Sequence, residues 1–242
     1  GGQVYVTRFI SQDAGGEIVK VDAATMQVSA KILLKLDNET MYSSTEGRGL
    51  PNHLFSIGIS PDGGQAWVPS KKDNIVRGLL RDGQKSAPDQ LVRPLVSVID
   101  LSLAQEIYAR RVDLDDRSPP LHVEFTPYGD LAILALGGTN HIEVRSLFDP
   151  EKVFTTILEA GSFPRATVLT PSGRLFVQAW LSREVIAYDM SATLKKHSKA
   201  TPIELGRIAS VAAEKLPAQV LLGKKIFHDS ADRRMTNEGY VT

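Results

Sequence analysis

Three stretches of this chain repeat one local pattern. SPDGGQAWV (Ser60–Val68), TPYGDLAIL (Thr126–Leu134) and TPSGRLFVQ (Thr170–Gln178) each run Ser or Thr, Pro, any residue, Gly, then an apolar alternation. Proline pre-sets φ for the first central residue of a turn, and glycine tolerates the positive φ that closes it, so the pattern predicts a hairpin followed by a strand. A further strand is expected before each turn, in LFSIGIS, LHVEFT and RATVLT. Another is expected after each, in VSVIDLSLAQEI (Val96–Ile107), HIEVRSLFDPEKV (His141–Val153) and EVIAYDMSATLKK (Glu184–Lys196). The opening GGQVYV (Gly1–Val6) matches GGQAWV (Gly63–Val68), and EIVKVDAATMQVSAKI (Glu17–Ile32) matches the strands that follow. The chain therefore reads as entering its first repeat midway, as a fragment would.

Thr126 and Thr170 lie 44 residues apart, the period of a four-stranded propeller blade. Ser60 and Thr126 lie 66 apart, and the excess falls in RGLLRDGQKSAPDQLVRP (Arg77–Pro94), expected to be a mobile insertion exposed at the rim. The fold class implied is all-β: a partial β-propeller of four-stranded antiparallel blades, closed by a short helical segment. A β-sandwich with coincidental turns is the competing architecture, and the three matched turns argue against it. Because a blade buries its faces only against neighbours, a closed ring would need blades beyond the four read here, and these are expected upstream.

The 242 residues suffice for a large core, and 42% hydrophobic with 23% charged residues is a globular composition. A formal net charge of zero gives no electrostatic case for nucleic acid, and no apolar run is long enough to insert into a membrane as a helix. Cysteine is absent, which excludes disulfides, thiolate metal sites and cysteine nucleophiles.

After Gly206 the apolar period changes. Ile208, Val211, Ala212 and Leu216 have helical spacing, Pro217 interrupts it, and AQVLLGKKIF resumes as a second short helix. The expected division is a partial propeller over 1–206 and a helical linker with the start of another domain over 207–242.

Two resemblances follow from these residues. VYVTRF (Val4–Phe9), SPDG and VSVIDLSLAQEI resemble YVTN-type β-propeller repeats over Gly1 to about Gly206, departing at Arg8, where that signature has Asn, and at Ser146, where it has Asp. LGKKIFHDSADRRMT, from Leu222, resembles the opening of di-haem cytochrome c peroxidases and their methylamine-utilisation relatives, through Leu222, Gly223, Phe227, Asp229 and Arg234-Met235-Thr236. The second resemblance implies a periplasmic or secreted bacterial redox protein. In its full-length form haem c would be attached through Cys-x-x-Cys-His beyond Thr242, with an electron-transfer protein or its own cytochrome domain as partner. Phe227, His228 and Arg234 would then be haem surroundings in that longer protein, while this chain alone would carry no cofactor, metal or catalysis. The alternative function is a non-redox periplasmic or surface propeller that binds a protein or carbohydrate.

The five histidines, His53, His122, His141, His197 and His228, have no metal-ligand spacing. His122 and Glu124 share one face of the strand before a turn, where they could line the channel as a proton-handling pair or simply bond between blades. Arg165 could line the channel mouth or form an ion pair between blades. Gly137-Gly138 lies between two strands, as a hairpin turn rather than a phosphate cradle. Trp67 and Trp180 are expected at equivalent places between blades, KKHSK (Lys195–Lys199) as a solvated loop, and His228 as either a haem neighbour or a helix-terminal residue.

Overall fold

The computed structural model describes residues 2–41, 43, 46–75 and 88–236. The fold is a partial β-propeller of antiparallel sheets, in two compact units, 1–115 and 116–242.

The first unit holds two sheets. One is β1 (Gln3–Thr7), β2 (Gly15–Asp22) and β3 (Gln27–Lys35), in that order. The other has four lanes. The first lane is split into β4 (Leu50–Asn52) and β5 (Gly58–Ile59), and β6 (Gln65–Asp73) is the second. After a four-residue helix α1 (Pro88–Leu91) comes β7 (Val92–Asp100), the third, whose outer edge is shared by β8 (Gln105–Glu106) and β9 (Val112–Asp113). The first lane breaks at His53, whose φ of 49° is left-handed, and the Asn52 side-chain oxygen accepts the N–H groups of His53 and Ser11 there. Expected as one strand, LFSIGIS thus contributes only Gly58–Ile59. Most of the expected insertion, 77–87 of 77–94, lies outside the described residues. Its end does not behave as a loop: Val92, Arg93 and Pro94 pair with Asp73, Lys72 and Lys71.

The second unit repeats the template with cleaner strands. β10 (Pro120–Phe125), β11 (Leu131–Leu136), β12 (His141–Ser146) and β13 (Val153–Ile157) form one sheet in order. β14 (Pro164–Leu169), β15 (Arg174–Ala179), β16 (Glu184–Asp189) and β17 (Ile203–Ala209) form the next, with helix α2 (Ser191–Lys196) inserted before the last strand. Lys195 and Lys196, expected in a loop, therefore form the last turn of α2, and His197 ends it in a left-handed conformation.

The repeated turns are built alike. The N–H groups of Gly63, Gly129 and Gly173 donate to the carbonyls of Ser60, Thr126 and Thr170 at 2.8, 2.9 and 2.9 Å. Their φ angles are 70°, 67° and 86°, a region that costs a side chain but not glycine. The Ser or Thr hydroxyl then accepts the N–H of Gln65, Leu131 or Arg174, starting the second strand. The strand-end carboxylates also recur: Asp22, Asp100 and Asp189 accept backbone N–H groups two or three residues on, and Ser146 does so for Asp149. These hydrogen bonds hold all three carboxyls below their ordinary range, led by Thr25 for Asp22, Ser102 for Asp100 and Ser191 for Asp189.

Each unit packs its two sheets face to face. Ile18, Ile32 and Leu34 of the first sheet meet Leu54, Ala66, Val68 and Ile99 of the second. Ile133, Ala135, Ile142 and Val144 meet Leu175, Val177, Ile186 and Tyr188 in the other unit. Each such buried aliphatic side chain contributes about 2 kcal/mol. The opposite face of the first sheet leaves Val4, Val6, Val28 and Leu33 about half exposed, and β17 leaves Ile203, Leu205 and Ile208 exposed.

The expected boundary at Gly206 falls inside β17, where Ala187 and Ile186 pair with Gly206 and Arg207. The helix read from Ile208, Val211, Ala212 and Leu216 does not form. Its first residues, Arg207 to Ala209, pair with the open edge of β16, and the remainder runs on without helix to Pro217. The second expected helix is present as α3 (Ala218–His228), entered from Pro217.

Candidate functional site

β10 and β14, the first strands of successive sheets in the second unit, lie side by side. An unpaired strand edge exposes N–H groups that need acceptors. His122 and Glu124, two apart on β10, supply them: Nδ1 of His122 accepts the Thr167 N–H at 3.3 Å, and Oε1 of Glu124 accepts the Leu169 N–H at 2.8 Å. The Thr167 hydroxyl lies 3.2 Å from the same His122 nitrogen. Acceptance at Nδ1 makes His122 a neutral ring protonated at Nε2, and burial pushes its pKa down. Burial pushes the Glu124 carboxyl up, against the lowering effect of the Leu169 and Thr167 hydrogen bonds. The pair thus joins neighbouring sheets side chain to backbone, and neither residue is aligned as a donor and acceptor to the other.

Arg165, on β14, lies beside Trp180. Its guanidinium lies 5.7 Å from the centre of the Trp180 ring. Trp180 is not equivalent to Trp67: Trp67 is fully buried within β6, whereas Trp180 follows the end of β15 and is partly exposed.

At Trp180 the C-terminal segment meets the second unit. Lys224 Nζ sits 4.1 Å over the indole, and the His228 ring packs edge-on against Trp180 and Phe163, with centroids 5.7 and 5.3 Å away. The next residues bond to the β11–β12 turn. Asn140 donates to Asp229 at 3.2 Å, its side-chain oxygen accepts the Phe163 N–H, and Ser230 N–H donates to the Gly138 carbonyl at 2.9 Å. Ser230 is fully buried, and a Cβ on Gly138 would stand 2.6 Å from its hydroxyl oxygen. That close approach explains the glycine, and the Gly137-Gly138 stretch is indeed a hairpin turn. By contrast α3 itself has no buried residue, and Val220, Leu222 and Phe227 are more than half exposed. The segment is therefore gripped at its end, His228 to Ser230.

Of the residues expected around a haem, Phe227 is 70% exposed, His228 faces Phe163 and Trp180, and Arg234 is paired with Asp232. The chain has no thiol to bond a haem vinyl group, so its own residues do not fit covalent haem attachment. Among the described residues no group of three or more His, Asp or Glu could hold a metal ion, and no helix is long and apolar enough to cross a membrane.

The sequence pattern did not signal two buried charge networks. In the first unit Lys72, on β6, bonds Asp113 at 2.8 Å and Asp37 at 3.4 Å, and Arg93 bonds Asp115 at 3.0 Å. Burial acts to raise the Asp37 pKa, but Thr40 hydrogen bonds and the Lys72 charge outweigh it and hold the carboxyl low. In the second unit fully buried Glu143 accepts Arg117 at 2.6 Å and Arg145 at 2.8 Å. Paired and hydrogen-bonded in this way, these charges join strands to the loops beside them. Phe163, Lys224 and Ser230 were also missed; Lys224 and Ser230 lie within the segment starting at Leu222, and Phe163 carries no sequence signal.

No protein-family model matches the sequence, and no curated protein matches it. Solved structures do resemble it. Hydrazine synthase of Kuenenia stuttgartiensis superposes with a TM-score of 0.57 at 15% identity, covering 85% of this chain and 59% of its own. A protein from Lactobacillus plantarum gives 0.55 at 13%, covering 86% and 52%, and the Dos1 propeller gives 0.50 at 12%, covering 87% and 44%. This chain thus spans about half the length of the structures it resembles, and at these identities the likeness establishes the β-propeller fold.

Proposed function

We propose that this chain is the propeller scaffold of a bacterial, periplasmic or secreted redox protein resembling the di-haem cytochrome c peroxidases. In this reading the blades hold the segment that leads into a c-type haem domain, and the partner is that domain or an electron-transfer protein. The YVTN-like repeats supply the scaffold. The observation that carries the reading is the grip on His228, Asp229 and Ser230, which fall within the stretch resembling the opening of such a domain. A propeller that fixes this stretch would fix where the following domain starts. When bound, haem c would supply electron transfer or peroxide chemistry; the residues of this chain orient and support.

The test is the absorption spectrum of the complete natural gene product, exported and matured beside a control cytochrome c. Soret and α/β bands of a c-type cytochrome are the expected result. A colourless protein under conditions that mature the control overturns the redox reading in favour of a propeller that docks a protein or carbohydrate.

A further inference from the structure

Independently of that reading, the contacts that hold the C-terminal segment include a titratable ring. Three observations converge on His228. It is the residue of α3 that packs on both Phe163 and Trp180. The helix before it has no fully buried residue, only half-buried ones such as Leu221 and Ile226, whereas Ser230 just beyond His228 is fully buried. The charges around it are already positive: Lys224 lies over Trp180, one turn back on the helix, and Arg165 lies against the same indole from β14. Asp229, the adjacent carboxylate, accepts Asn140 and the Ala231 N–H through Oδ1, and Asp232 is paired with Arg234. On the blade side the ring meets Phe163 and Trp180, which carry no charge.

We propose that His228 is a pH-sensitive latch: neutral, it seats the segment Lys224–Thr236 on the blades, and protonated, it releases that segment while the sheets stay folded. A third positive charge beside Lys224 and Arg165 would sit in a partly desolvated aromatic contact, and among the described residues the neighbouring carboxylates, Asp229 and Asp232, already accept hydrogen bonds. Burial and Lys224 both push the His228 pKa down, consistent with this direction. The sign follows. The docked state binds the proton less well than the released state, whose histidine titrates near ~6.5, so docking is complete above that value and is lost as pH falls through the lower docked pKa.

The test is amide exchange of the whole chain between pH 8 and pH 5, corrected for intrinsic rates, with the Ser230 N–H as reporter. Its protection should fall by up to about tenfold per pH unit in the acid range, the limit for one linked proton, while strand amides of β15 and β16 stay protected. His228→Phe keeps an aromatic ring but not the proton, and should hold Ser230 protected across the range. His228→Lys should leave it unprotected throughout. Unchanged protection in the unaltered protein, or an equal acid loss in His228→Phe, overturns the proposal. If His228→Lys does not fold, the Phe variant still decides it.

Discussion

At the residue scale, the propeller is assembled from small polar devices that repeat. The Ser or Thr of each turn starts a strand, and an Asp at the end of a later strand closes the next turn. Glu124 differs, because it serves two sheets from a half-buried position. Its carboxyl titrates above the ordinary glutamate range, so keeping it charged carries a cost that is full above the folded pKa and absent below the unfolded value of ~4.3. Glutamine would keep an acceptor for the Leu169 N–H and carry no charge. We expect Glu124→Gln to be at least as stable as the unaltered protein near pH 7, and its advantage to vanish by about pH 4. Urea titrations at the two pH values check this; a variant clearly less stable at pH 7 would mean that the charge itself holds the sheets together.

At the scale of elements, the hairpins were legible because their chemistry is local. Pro171 and Gly173 set their turn whatever surrounds it, as do their counterparts at 61–63 and 127–129. The end of β17 was not legible, because its state is decided by a neighbour: the free edge of β16 pairs Arg207, Ile208 and Ala209, where the helical spacing was read to begin. The split of the first lane at His53 was hidden for the same reason, since Asn52 is held by Ser11, distant in sequence. Strands that pack across two sheets should be the most sensitive to truncation. Ile186 is fully buried between the last two sheets, and Ile186→Ala should cost about 3 kcal/mol of unfolding free energy, read from chemical denaturation. A cost under about 1 kcal/mol would mean that the two sheets do not share a rigid core.

At the scale of the whole molecule, repeated turns and an approximate period announced a propeller, and the solved structures it resembles bear that out. Among the polar residues read as candidate sites, His122 and Glu124 had two readings open, and their geometry is that of edge caps between sheets. The grip on the C-terminal segment was invisible because Trp180, Gly138 and Ser230 carry no motif and meet only in three dimensions. That grip is the means by which a propeller of this kind would place whatever follows α3. Because the chain has no cysteine, spin labels can be introduced cleanly at Phe148→Cys and Leu222→Cys, both exposed and clear of the contacts described. The most direct measurement is the distance distribution between these labels by pulsed electron resonance at pH 8. A single narrow distribution is expected, broadening when Trp180 is also changed to alanine. A distribution already broad in the presence of Trp180 would contradict the account, because the segment would then not be held by the blades.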